Sequence, residues 1–257
     1  MTRFPPMHPP RLSPHAREEG LTLMHMRVAS YNIHRGFGRD GRYEPQRILH
    51  VLQELDADIV ALQEVDVLGP DTIQILPWLA THMKMTAIAG PVHSRPDGDY
   101  GNALLTKFPV EKVRRWDLSV GDHEPRGVLD TDMICNGQSI HVLNTHLGLW
   151  PLERSKQVQR LLELLDVKRR DVTILMGDLN EWCAWGKPLR ILRRVFGRPA
   201  APKTFPAGRP LLALDRIWVS PAPALLGVQA HHTTLSAAAS DHLPVRAEIS
   251  LGSEPRS

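Results

Sequence analysis

Short apolar runs that each close on a polar residue are what most constrain this chain. Residues 27–32, 59–62, 140–146 and 172–176 are rich in apolar and β-branched side chains and are bounded by Gly, Pro, Asn or Asp, the pattern of strands. Helical periodicity stands between them. Ile48, Val51, Leu52 and Leu55 recur at offsets 0, 3, 4 and 7 behind Pro45, and Val158, Leu161, Leu162 and Leu165 line one face of a stretch spanning 151–168. Lys168, Arg169 and Arg170 suit the negative end of that helix. Further strands are predicted at 102–106, 110–118, 127–135, 214–219 and 245–249, and helices at 72–83, interrupted by Pro77, and 189–196. The opening reads strand, helix, strand, and the turn-punctuated middle reads as antiparallel neighbours. This alternation implies an α/β or α+β domain with mixed strands.

Composition narrows the class. The 257 residues are 42% hydrophobic and 23% charged, an ordinary soluble balance. No apolar run approaches the ~18 residues of a membrane span. A net charge of +3 permits a polyanionic partner without demanding one. Cys135 and Cys183, the two cysteines, lie far apart in no metal-ligand spacing, so a reducing, cytoplasmic setting without a structural disulfide is expected. Pro5, Pro6, Pro9, Pro10 and Pro14 break the first residues, which lack the apolar core of a signal peptide. A loose tail over 1–23, one domain over 24–251 and a short tail over 252–257 are therefore expected, as a monomer.

Polar residues stand where the strands run out, which is where sites assemble in open sheets. They are Asn32 in Ser30-Tyr31-Asn32-Ile33-His34, Glu64 in Leu62-Gln63-Glu64-Val65, and His146 in Asn144-Thr145-His146-Leu147-Gly148. Asp178 and Asn180 follow in Gly177-Asp178-Leu179-Asn180, then Asp215 in Leu214-Asp215-Arg216-Ile217, and Asp241 with His242 in Ser240-Asp241-His242-Leu243-Pro244-Val245.

In this order the six motifs resemble those of the endonuclease/exonuclease/phosphatase superfamily, over residues 26–251. Tyr100-Gly101-Asn102-Ala103-Leu104-Leu105-Thr106, Arg126-Gly127-Val128-Leu129 and Thr204-Phe205-Pro206 are similar to a small bacterial branch of it. The resemblance implies a four-layer sandwich like deoxyribonuclease I, two packed and mostly antiparallel sheets flanked by helices. It implies a metal-dependent hydrolase of phosphodiester bonds. A nuclease acting on DNA or RNA leads, a sphingomyelinase-like phospholipid phosphodiesterase or an inositol-phosphate phosphatase comes second, and a non-catalytic binding module is third. The binding module would require a lost core position, and none of the six is lost.

Elementary chemistry runs parallel to the resemblance. Phosphodiester hydrolysis needs charge neutralised on the phosphoryl oxygens, a water held in line and help for the leaving oxygen. Mg²⁺ or Mn²⁺ serves the first and last needs with few protein oxygens, and Glu64 assisted by Asn32 and Asp241 supplies them. Asp178 and Asn180, two apart, can face one cavity, one orienting water and the other donating to phosphate. His242 needs a carboxylate partner, a role the resemblance assigns to Asp215. Either Asp178 or His242 can take the water's proton.

His146 follows the histidine-bearing motif of deoxyribonuclease I and the sphingomyelinases rather than the tyrosine-bearing one of abasic-site endonucleases. It is expected as a cation beside the leaving or a non-bridging oxygen. His34 stands where the abasic-site enzymes carry an acid, which argues against a second metal. Arg126 can clamp a phosphate and Asn102 can line the site. Trp150, Trp182 and Trp185 flank two motifs and can stack on a base or touch a lipid, although packing in the core or at the rim is the more common fate of tryptophan.

Overall fold

The computed structural model describes residues 24–68, 74–95, 98–165 and 171–252. The expected tails at 1–23 and from 253 onward fall outside the described residues.

Two mixed sheets pack face to face. The first has the order β10-β11-β1-β2-β4-β3, from β1 (Met24–Asn32), β2 (Ile59–Leu68), β3 (Thr86–Arg95), β4 (Gly98–Thr106), β10 (Leu225–Ala230) and β11 (Val245–Leu251). The second has the order β5-β6-β7-β8-β9, from β5 (Val110–Asp117), β6 (Gly127–Cys135), β7 (Gln138–His146), β8 (Val172–Asp178) and β9 (Asp215–Ser220). β1 and β2 run parallel across helix α1 (Pro45–Leu55), and β7 and β8 run parallel across α3 (Pro151–Leu164). The other pairings are antiparallel.

Side-chain alternation explains the layers. Val28, Ile59, Ala61 and Leu104 face Leu129, Val142, Ile174 and Ile217 between the sheets. Tyr31, Val60, Leu62 and Leu105 point outward onto α1 and α2 (Ile75–Met83). Leu143, Leu175 and Trp218 point outward onto α3 and α4 (Lys187–Phe196). Helix, sheet, sheet, helix is the four-layer sandwich the sequence implied.

Four details differ from expectation. Pro77 does not interrupt α2, because it lies in the first turn, where a missing N–H removes no helical bond; residues 72–73 of the expected helix lie outside the described residues. β2 does not end at Glu64 but continues through a bulge between Leu62 and Val65. β3 and β10 were not anticipated at all; both are sheet edges. Cys135 and Cys183 carry free thiols, the first buried and the second partly so.

Beneath the bulge the sheets are tied by amides. Asn144 Nδ2 on β7 donates to the carbonyls of Leu62 (3.0 Å) and Ala103 (2.8 Å), and its Oδ1 accepts from Gln63 Nε2 at 2.8 Å. All of these groups are buried, so each satisfied bond avoids a desolvation cost of about 1–3 kcal/mol.

Candidate active site

Register delivers the polar residues to one rim. Asn32 pairs with Gln63 at the ends of the parallel β1–β2 pair, and the bulge turns Glu64, with φ of 54°, toward the second sheet. There, His146 pairs with Asp178 and Asp178 with Asp215, so three adjacent strands present their terminal residues side by side.

Asn32 bridges the two halves. Its Nδ2 donates to Glu64 Oε1 at 2.9 Å and to Asp178 Oδ2 at 3.2 Å, and its Oδ1 accepts from the His34 N–H. Asp178 is buried and lies 3.5 Å from His146 Nε2 and 3.6 Å from His242 Nε2. The Asn180 N–H donates to Asp178 Oδ1 at 2.9 Å, a bond made possible by a left-handed Asn180 with φ of 51°. The Asn180 amide also bonds the Leu147 carbonyl and lies 3.0 Å from His146 Nε2. Asp241 is partly exposed at the mouth, where Ser240 Oγ lies 3.3 Å from its carboxylate and His34 Nδ1 approaches to 3.9 Å.

The electrostatics separate the two histidines. Burial alone would discharge His242, but the carboxylates of Asp215, 2.9 Å from Nδ1, and Asp178 outweigh it and push its pKa up to about 10. The imidazole is thus charged at neutral pH. His146 goes the other way: burial brings it down to about 3, the Asp178 charge opposing and Arg126 adding to the fall. The expected cation at His146 is therefore corrected to a neutral ring. Arg126 Nη1 lies 3.2 Å from His146 Nδ1, and Nε2 stands between the Asn180 amide nitrogen at 3.0 Å and Asp178 Oδ2 at 3.5 Å. Glu64 is raised above the usual carboxylate range by burial, reinforced by the charges of Asp241 and Asp178 and opposed by the Asn32 bond.

Arg126 is itself buried, with Nη2 on Glu124 at 2.8 Å, so it supports His146 rather than standing on the surface. Asn102 donates to the Gly127 carbonyl at 3.1 Å, and with Glu64, Tyr100, Arg126 and His146 it lines a cleft at the rim. All ten residues singled out in the sequence thus meet in one region. Thr204, Phe205 and Ser240 were missed as site members. Thr204 Oγ1 donates to Asp215 Oδ2 at 2.5 Å, the Phe205 ring lies 4.9 Å from that of His242, and Ser240 Oγ donates to the Asn32 carbonyl at 2.8 Å. Their signal was present, since all three fall inside motifs quoted above.

One stability consequence follows from the histidine charge. A folded-state pKa raised from 6.5 to about 10 contributes stability that is fully present below the ordinary value and lost as pH rises through the folded one. In EDTA, His242→Gln should melt several degrees below the parent at pH 7.5, and the gap should close by about pH 11. An equal gap at both pH values, in matched thermal scans, would contradict the charged assignment.

The Endonuclease/Exonuclease/phosphatase family profile matches residues 29–242. The uncharacterized protein YbhP of Escherichia coli (strain K12) is 34% identical over 253 residues, covering 88% of this chain and 96% of that protein. Among solved structures, the endonuclease/exonuclease/phosphatase of Bacteroides vulgatus superposes with a TM-score of 0.71 at 18% identity, covering 89% of this chain and 99% of that one. The mannosyl-6-phosphatase of Bacteroides thetaiotaomicron VPI-5482 gives 0.67 at 20% identity, covering 86% and 98%. The fold, the motif order and these matches agree: the chain belongs to the Endonuclease/Exonuclease/phosphatase family, as a hydrolase of phosphoester bonds.

Proposed function

We propose that the protein is a divalent-metal-dependent phosphodiesterase. The observation that carries the reading is the meeting of Asn32, Glu64, His146 and Asp178, from strands of two sheets, with His242 from the loop before β11, linked by contacts of 2.9 to 3.6 Å.

The donor set fits a hard cation. The charges of Asp241 and Asp178 raise the cost of ionising Glu64, a cost that a cation between Glu64 and Asp241 would relieve, and Asn32 would add its oxygen by turning the amide whose Nδ2 here faces Glu64. Those three would hold Mg²⁺ or Mn²⁺. The buried trio Asp178, Asp215 and His242 also clusters closely, but a ligating imidazole must be neutral at the bound nitrogen, and His242 is charged. When bound, the metal neutralises phosphoryl charge and eases departure of the leaving oxygen.

The protein's own residues divide the remaining work. A charged His242 cannot accept a proton, which leaves Asp178 to take it from the attacking water. His242 donates from Nε2 to a non-bridging oxygen, held by Asp215, which is in turn held by Thr204. Neutral His146, held by Arg126, flanks Asp178 across from His242. Asn180 supplies an amide beside it, and Asn102 keeps the cleft wall in place.

For the substrate, positive charge and motif order lean toward DNA or RNA. A phospholipid diester has one specific observation in its favour, the exposed apolar side chains beside the mouth taken up below. The catalytic reading is tested apart from that choice with bis-p-nitrophenyl phosphate. Hydrolysis should require Mg²⁺ or Mn²⁺, stop in EDTA, and fall about 10²-fold in Glu64→Gln with an unchanged melting temperature. Full activity in EDTA would sink it.

A further inference from the structure

We infer that the apolar rim beside the catalytic mouth docks on an anionic phospholipid bilayer. Two loops leave the catalytic strand ends, one from His146 into α3 and one from Asp178 into α4. Leu149 and Trp150 on the first, and Leu152 in the opening turn of α3, are 66%, 62% and 80% exposed, and Trp182 and Trp185 on the second are 64% and 83% exposed. Ordinary packing would have buried tryptophans; a cluster of large apolar side chains in water marks an interaction surface.

The loops are held as one platform. Arg154 Nε pairs with Glu181 at 3.2 Å, both buried, while its Nη1 donates to the Leu149 carbonyl at 2.6 Å. Arg193 Nη1 donates to the Ala184 carbonyl, between the two exposed tryptophans of the second loop, at 2.5 Å. These bonds fix the backbone from which the apolar side chains project.

Charge selects the occupant. Between residues 148 and 165 and between 179 and 199 the acids are Glu153 and Glu181, both buried, and Glu163, exposed in the last turn of α3. Exposed Asp122 and Glu124 flank His123, which stacks on Trp150, and Glu124 is paired with Arg126. On α4, Leu189, Leu192 and Phe196 face the core while Lys187, Arg190 and Arg194 are exposed. Indole rings suit the bilayer interface and exposed cations suit anionic head groups. Nucleic acid would also welcome cations and indoles, but Leu149 and Leu152 have no flat face on which a base can stack, whereas hydrocarbon accepts them. The placement beside the mouth would bring head-group phosphates to the site; that last point rests on the phosphodiesterase reading, and docking itself does not.

The full chain in EDTA should co-sediment with vesicles of phosphatidylcholine containing 30% phosphatidylglycerol, and more weakly with phosphatidylcholine alone or in 0.5 M NaCl. Trp182→Ser/Trp185→Ser should bind the anionic vesicles at least ten-fold more weakly, and Lys187→Glu/Arg190→Glu should lose the preference for anionic lipid. Both double variants should hydrolyse bis-p-nitrophenyl phosphate like the parent. Parent protein that stays in the supernatant, or a tryptophan variant that binds as well as the parent, overturns the docking surface. So does a rim that serves instead a single-stranded oligonucleotide or a second copy of the chain, revealed by that variant losing oligonucleotide binding or dissociating a dimer. Vesicle binding with no diester hydrolysis would sink the catalytic reading and leave docking standing; the reverse result would do the opposite.

Discussion

Asp178→Asn should lower kcat for a diester by about 10³-fold or more while the protein stays folded. The carboxylate is buried and receives bonds from Asn32 Nδ2 on Oδ2 and from the Asn180 N–H on Oδ1, and an asparagine, with one oxygen, keeps one of the two. What the substitution removes is the acceptor for the water's proton and the negative partner of the charged His242, 3.6 Å away. The loss should sit in kcat with KM little changed, because Asp178 is asked to act mainly in the transition state. Asp178→Ala should be as inactive. Rates measured with saturating Mn²⁺ decide the matter: an Asp178→Asn variant retaining a tenth of the parent kcat would move the proton acceptor elsewhere.

The second large effect is on stability. Gly177 precedes Asp178 with φ of 148°, and a β-carbon there would lie 1.8 Å from the Thr145 carbonyl oxygen, its register partner on β7. That oxygen belongs to a strand buried between neighbours and has nowhere to go. Gly177→Ala should therefore cost roughly 3 kcal/mol, lowering the melting temperature by roughly 6–12 °C, with activity lost because the strand end carrying Asp178 is displaced. Gly227→Ala is the control: a β-carbon there meets nothing within 4 Å, and the change should be within about 0.5 kcal/mol. Equal melting temperatures for the two variants would show that the strand pair yields more easily than its geometry implies.

Much of this was legible in the sequence, for physical reasons that also explain the gaps. Central strands such as β1, β7 and β8 are buried on both faces, so they are continuous apolar runs with abrupt polar ends, and the ends are the site. β3 carries Gly90 and Pro91, which read as a turn; at a sheet edge a proline is tolerated, and the pairing shifts between Pro91 and His93 to accommodate it. β10 is an edge too, irregular at Gly227, and it escaped for the same reason. Glu64 was found as a residue, but not the bulge that aims it, because a bulge leaves no periodic mark. The charge states of His146 and His242 were not legible either. One ends a strand and the other lies in the loop before one, and only the packing distinguishes a ring backed by Arg126 from one flanked by Asp215 and Asp178. The exposure of Trp182 and Trp185 ran against composition-based expectation, since tryptophan usually packs.

The Asn144–Gln63 tie bears on how ready the protein is before any ligand arrives. Glu64 and Asn32 belong to one sheet and Asp178, His146 and Asp215 to the other, so the spacing between them is only as constant as the alignment of two slabs. Slipping one slab past the other would strand the Asn144 amide, the Gln63 amide and two carbonyls without partners, a penalty no apolar contact could offset. The interlayer amides thus act as a dowel pin, and the catalytic spacing is set when the chain folds.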